Sequence, residues 1–147
     1  MQTRSQIYSK KVFGQIDDLS FTVNENNEEK RLKKIKALKK EYGSLCHNFP
    51  LMVLRNGLSQ AVAFVWMKSE NDLNSPQGKF LKHLSLLTDG SETETAKDFQ
   101  ERVNRLDLMK YQRITRKILS ASIWYKRFAE SLLGVEAGNS IEDDNND

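Results

Sequence analysis

Five apolar residues, Ile35, Leu38, Tyr42, Leu45 and Phe49, follow one another at spacings of 3, 4, 3 and 4. Only a period near 3.6 gathers all five on one seam; a strand, with its period of two, would scatter them over both faces. The rest of the chain agrees. β-Branched alternation is scarce, and two prolines and seven glycines in 147 residues supply little of the turn chemistry that a sandwich or barrel needs. The fold class expected is all-α. Residues 1–135 are read as one compact bundle of about six helices, long enough for a real core and too short for two.

Along the chain, a first helix is expected over 3–18, with Ile7, Tyr8, Val12, Phe13 and Ile16 on one stripe. Asn27 followed by Glu28 and Glu29 reads as the N-cap and acidic first turn of the second helix. Pro50 lacks a backbone donor and is expected to kink or restart that helix, and Asn56-Gly57 to end it. Residues 58–68 are apolar nearly all round, which points to the centre of the bundle. Ser75 as N-cap and Pro76 at the first helical position open the next helix, which stops near Asp89-Gly90. Ser91-Glu-Thr-Glu94 has capping-box spacing, ahead of a helix carrying Phe99, Val103 and Leu106. The last helix runs from about Asp107 to Leu133 and ends at Gly134, its buried stripe being Tyr111, Ile118, Tyr125, Ala129 and Leu132. No internal repeat is visible.

The charge is unevenly divided. The whole chain is +3, but Glu136 to Asp147 holds five acids and no base, so residues 1–135 carry 23 bases against 15 acids, a net +8. A body that basic favours a polyanionic partner. The acidic, Asn-rich end is expected to be disordered, either as a solubilising end or as a shield over the basic faces. Chemistry is poorly provided for. Two histidines and one cysteine make no metal-ligand set, and Cys46 and His47, being adjacent, point about 100° apart on a helix. Neither a glycine-rich phosphate loop nor HExxH or GxSxG is present, so no cofactor and no metal are expected. The sole cysteine excludes an intramolecular disulfide. The first eleven residues lack the apolar stretch of a signal peptide. The longest apolar run, Ala61-Val-Ala-Phe-Val-Trp-Met67, is far short of the ~20 residues that cross a bilayer. A cytoplasmic protein without membrane contact is expected.

Two basic faces stand out. Lys30 to Lys40 holds seven bases and no acid; at 100° per residue, Lys33, Lys36 and Lys40, with His47, share a stripe roughly opposite the apolar seam. Charges one turn apart can follow a phosphate backbone, although a lysine run is also what a solvated helix face looks like. On the last helix Lys110, Arg113, Arg116, Lys117 and Arg127 gather away from the buried stripe, with Trp124 among them. An indole in that position stacks on a base, anchors an interface, or belongs to the core if the helix is covered on both sides. Neither face carries base-reading chemistry, so backbone contact without sequence reading is expected.

Residues 42–67, Tyr42-Gly-Ser-Leu-Cys-His-Asn-Phe-Pro-Leu-Met-Val-Leu-Arg-Asn-Gly-Leu-Ser-Gln-Ala-Val-Ala-Phe-Val-Trp-Met67, resemble the small subunit of the type III-B CRISPR effector, the Cmr complex. In that family a tyrosine-led helix runs to a proline, then to an Arg-Asn-Gly-Leu turn, a glutamine and an apolar helix containing Phe. A second block, Tyr111 to Glu130, resembles the family in its Tyr-x-x-Ile-Thr-Arg start and its Trp124-Tyr-Lys-Arg-Phe-Ala-Glu130 end. Together the blocks cover about a third of the chain. The connector at 24–29 and the acidic end match nothing in the family pattern.

The resemblance implies an all-helical subunit that performs no chemistry. It implies several copies stacked as a minor filament beside the crRNA-bearing backbone, leaving a basic channel for the crRNA–target RNA duplex. The partners implied are the other Cmr subunits, further copies of the chain, crRNA and target RNA, with no small-molecule substrate. The nucleic-acid-binding candidates are Lys33, Lys36, Lys40, Arg55, Arg113, Arg116, Lys117 and Arg127; Trp124 and Gln60 are interface or stacking candidates. Arg55 has two readings, a solvated residue of the helix end or a contact with RNA or the next subunit. Gln60, polar on an apolar helix, is expected to be hydrogen-bonded to a buried backbone group or a neighbouring chain. Three other functions stay open: a type III-A small subunit, a helical adaptor whose basic faces meet acidic protein, and a DNA-binding helix-turn-helix regulator. The last is disfavoured because its exposed face is all lysine, without the Asn, Gln and Arg used to read base edges.

Overall fold

Most of the helices begin where a short polar side chain takes up a free backbone N–H. In the computed structural model, which describes residues 1–138, α1 (Arg4–Asp17) starts from Thr3 in a capping box with Gln6. Asn27 caps α2 (Glu28–Asn56) through a 3.1 Å bond from the Lys30 N–H. Ser75 caps α4 (Pro76–Leu87), as the sequence suggests, and Asp107, expected near the first residue of the last helix, is the N-cap of α6 (Leu108–Leu133). Gly134 closes α6 in the left-handed region, φ 69°. The remaining helices are α3 (Leu58–Lys68) and α5 (Ala96–Arg105). No strand occurs among the described residues; the fold is an all-α bundle of these six helices. The acidic end from residue 139, expected to be disordered, lies outside the described residues.

Several local expectations are corrected. Pro50 does not restart the second helix: α2 runs on to Asn56. Its missing N–H forfeits one bond, and burial of Pro50 with Phe49 and Val53 offsets that loss. The capping box before α5 is Thr95 with Asp98, not Ser91 with Glu94, because the Glu94 carboxylate is bound by Arg102 and Ser85. The apolar α3 is not central. It packs on α2, α4 and α5 from one side, burying Leu58, Ala61, Val62 and Val65 while Phe64 and Met67 remain 45% and 61% exposed. Gln60 faces solvent and engages no buried backbone group. In α1 the buried stripe narrows to Tyr8, Val12 and Ile16, because at about 100° per residue Ile7 and Phe13 fall at least 100° from its centre, and in α6 Leu132 is exposed.

The core is organised around Phe80 of α4. Its ring meets Tyr42, Phe49 and Tyr125 edge-on at 5.6, 5.2 and 5.7 Å, tying α2 and α6 to α4 with the geometry that aromatic quadrupoles favour. Between α4 and α5, Arg102 and Lys82 hold the connecting loop. The Arg102 guanidinium donates to both Glu94 carboxylate oxygens, to the Thr88 carbonyl and to Thr88 Oγ1. Lys82 Nζ donates to the carbonyls of Ser91, Glu92 and Glu94.

The helix pairing decides which surfaces remain for function. α6 packs on α2 and, along its other side, on α1. Tyr111 of α6 reaches Ser59, just past the end of α2, whereas Val135, just past the end of α6, reaches His47; the two long helices are therefore antiparallel and offset. At 1.5 Å per residue, about 22 Å of α2 before Gly43 extends beyond α6. That arm carries the lysine run.

Candidate nucleic-acid interface

Arg113, Lys117, Ser120, Trp124 and Arg127 follow one another along α6 at spacings of 4, 3, 4 and 3, so the helix presents them as one stripe roughly 21 Å long. The stripe lies against α1. Arg113, Arg116 and Lys117 line a hollow of about 470 Å³ with Ser120, and α1 contributes Arg4 and Tyr8. Four of the six residues that line this space are cations. Arg113 and Arg116 are exposed. Lys117 is partly engaged, its ammonium lying 3.4 Å from the Asp89 carboxylate.

Further along the same seam a second hollow, of about 340 Å³, is lined by Gln2, Gln6, Ser9, Lys10, Phe13, Trp124 and Phe128. The Trp124 indole stacks on Phe128 at 5.8 Å, and the Arg127 guanidinium sits 5.3 Å from its centroid. Its N–H donates to Ser5 Oγ at 3.2 Å. Trp124 is thus half-buried, packed against the core margin and fixed to α1. Arg127 is exposed and held over the ring by a cation–π contact.

The arm of α2 is a separate basic surface. Lys33, Lys36 and Lys40 are all exposed, on the face opposite Ile35 and Leu38. Lys34 is drawn aside by Glu25, 3.1 Å away, which holds that carboxyl below its ordinary value. His47, which the sequence places at the end of the lysine stripe, has another role. Its Nε2 donates to the Val135 carbonyl at 2.8 Å, so the ring binds the chain leaving α6. Arg55 is exposed in the last turn of α2, where a cation suits the negative end of the helix dipole. The Cys46 thiol is buried, and burial pushes its pKa well up, which suppresses the reactive thiolate.

The structure thus brings Arg113, Arg116 and Lys117 together, and places Trp124 and Arg127 further along the same seam. It does not join them to Lys33, Lys36, Lys40, Arg55 or Gln60. Sequence reasoning missed Arg4, Tyr8, Lys10, Phe13 and Phe128. Arg4 and Tyr8 are one turn apart on one face of α1, but only the docking of α1 on α6 turns that face into a wall of the hollow.

No group of three or more potential metal ligands occurs among the described residues, and no helix there is long and apolar enough to cross a membrane. A six-helix bundle with cationic seams and a buried cysteine defines a class of small all-helical proteins with basic surfaces. Comparison with known proteins is specific within that class. The chain belongs to the CRISPR-associated Cas_Cmr5 family, whose model matches residues 15–132. It is 26% identical over 136 residues to the CRISPR system Cmr subunit Cmr5 of Thermus thermophilus, covering 90% of this chain and 98% of the relative. The crystal structure of a CRISPR-associated Cmr5 family protein from Thermus thermophilus superposes with a TM-score of 0.66 at 26% identity, over 92% of this chain and all of the other.

Proposed function

We propose that this chain is the non-catalytic small subunit of a type III-B CRISPR effector complex, acting in the cytoplasm in defence against foreign nucleic acid. In this reading residues 1–135 form one domain, and several copies stack as the minor filament. The basic surfaces then follow the backbone of the crRNA–target RNA duplex, with the other Cmr subunits as partners. The observation that carries the RNA contact is the α1–α6 hollow, lined by Arg4, Arg113, Arg116 and Lys117, of which Lys117 alone is shared with a carboxylate, that of Asp89. Cations on two helices that line one concavity suit a polyanion better than scattered surface lysines do. Protein contact is supported at the end of the bundle where Tyr111 meets Ser59: Leu54, Leu108 and Met109 there are 70%, 69% and 73% exposed.

The test is titration of a mixed-sequence RNA duplex at several salt concentrations. Arg113→Glu with Arg116→Glu is expected to lower affinity at least tenfold and to reduce the slope of log K against log salt by about 2, one unit per phosphate contact removed. An unchanged slope would remove the hollow from the RNA path. Capture of partner subunits that survives ribonuclease treatment and the double variant alike would favour the adaptor reading.

A further inference from the structure

Where the chain goes after α6 is fixed by two residues of α2. Val135 is buried, its carbonyl accepts from His47, and a Cβ placed on Gly43 would lie 2.6 Å from Val135 Cβ. Glycine inside a helix costs about 1 kcal/mol relative to alanine, and here it is what lets Val135 lie on the helix backbone. Positions 33, 36, 40, 43 and 47 are spaced 3, 4, 3 and 4. Val135 is therefore seated on the same stripe of α2 that carries Lys33, Lys36 and Lys40.

From that seat the chain continues into Glu136 and then Glu142, Asp143, Asp144 and Asp147 without a single base. Gly43 and Lys33 are about 15 Å apart along the helix axis. Seven extended residues, from Val135 to Glu142, reach about 23 Å, enough to bring the acids alongside all three lysines. Lys33 and Lys36 are exposed and form no ion pair among the described residues. The family match ends at residue 132, so the anchor and the acidic run both lie past it.

We propose that the lysine stripe of α2 is the docking face of the chain's own acidic segment, residues 136–147, which competes there with the phosphate backbone of RNA. Docking needs only the charges and the Val135 anchor; the competition rests on the RNA-binding reading above. A tethered segment has a high effective concentration, so it competes well with weak polyanions for the stripe and poorly with a duplex engaged elsewhere as well.

The test uses the full chain and a variant with Glu136→Gln, Glu142→Gln, Asp143→Asn, Asp144→Asn and Asp147→Asn. Acylation of individual lysines by an N-hydroxysuccinimide ester is read without RNA, with Lys110 at the distant end of α6 as internal reference. Lys33 and Lys36 are expected to react about two- to fivefold faster in the variant relative to Lys110, and the gap to close at 1 M salt, where the screening length is about 3 Å. Affinity for a mixed-sequence RNA duplex is expected to rise about fivefold at low salt. Unchanged relative reactivity overturns the docking, including where RNA affinity rises, since that rise would then reflect net charge alone. Faster lysines with no RNA binding by either protein uphold the docking and overturn the RNA reading.

Discussion

The hydroxyl oxygen of Tyr111 accepts the amide hydrogen of Ser59 at 3.0 Å. α3 has no side-chain N-cap of its own, because Gly57 precedes it at φ 86°, ψ 161°, so the cap comes from α6, 52 residues away. Tyr111→Phe keeps the ring and removes the acceptor. The expected loss is about 1 kcal/mol, the usual worth of an N-cap bond, measured as a lower midpoint in urea with an unchanged slope.

Arg102 is the keystone of the α4–α5 loop. Its partners, the Glu94 carboxylate and the Ser85–Thr88 backbone, are shielded once the side chain is in place. Arg102→Ala removes the counter-charge of Glu94, which keeps the Ser85 hydroxyl as donor, and takes the guanidinium donor from the Thr88 carbonyl; it is expected to cost about 2–4 kcal/mol. Arg102→Lys is expected to recover little, since one ammonium cannot reproduce the planar fork. Urea denaturation of both variants decides this.

The pH profile is set in part by His83. Its Nδ1 is 2.6 Å from the Tyr42 hydroxyl, and burial, aided by the Lys79 charge, lowers its pKa to about 4. Between an unfolded value near 6.5 and this folded value, the unfolded chain binds the extra proton, so stability is complete above pH 6.5 and is lost as pH falls towards 4. The largest loss is about 3 kcal/mol, reduced to the extent that solvent reaches the ring from the shallow hollow it helps to line. Denaturation midpoints from pH 7.5 to 4 should fall more steeply for the native chain than for His83→Gln.

Gly43→Ala opposes helix propensity to packing. Propensity favours alanine by about 1 kcal/mol, while the added methyl would meet Val135 Cβ at 2.6 Å and Cγ2 at 2.7 Å. The contact is expected to win by displacing Val135, so the variant is no more stable than the native chain. It exchanges the His47–Val135 bond for solvent, visible as faster hydrogen exchange at residues 133–138.

What the sequence could and could not disclose follows from the range of the interactions. Asn27, Ser75, Asp107 and Gly134 act within a few residues of themselves and were legible as helix ends. Thr95 was missed because Ser91 and Glu94 have the same spacing, and only the fold sends Arg102 to Glu94. The seam of α2 was legible for the same local reason, whereas the mostly apolar α3 gave no clue that one side stays in water. Cations on α6 could be named from their spacing. That Arg4 completes their hollow depends on which helix lies beside α6, and nothing in a helical period encodes a neighbour.

The pairing of α1 with α6 also bears on how the chain is made. Ser5 bonds to Trp124, 119 residues further on, and Phe13 packs against Phe128. At about 5–20 residues per second, the principal partner of α1 leaves the ribosome on the order of ten seconds after α1 itself. During that interval α2 to α5 can assemble in order, while Tyr8, Val12 and Ile16 wait without the helix that covers them. A nascent chain arrested before α6 would keep this apolar stripe in water, and so display to chaperones and proteases the mark of an unfinished molecule.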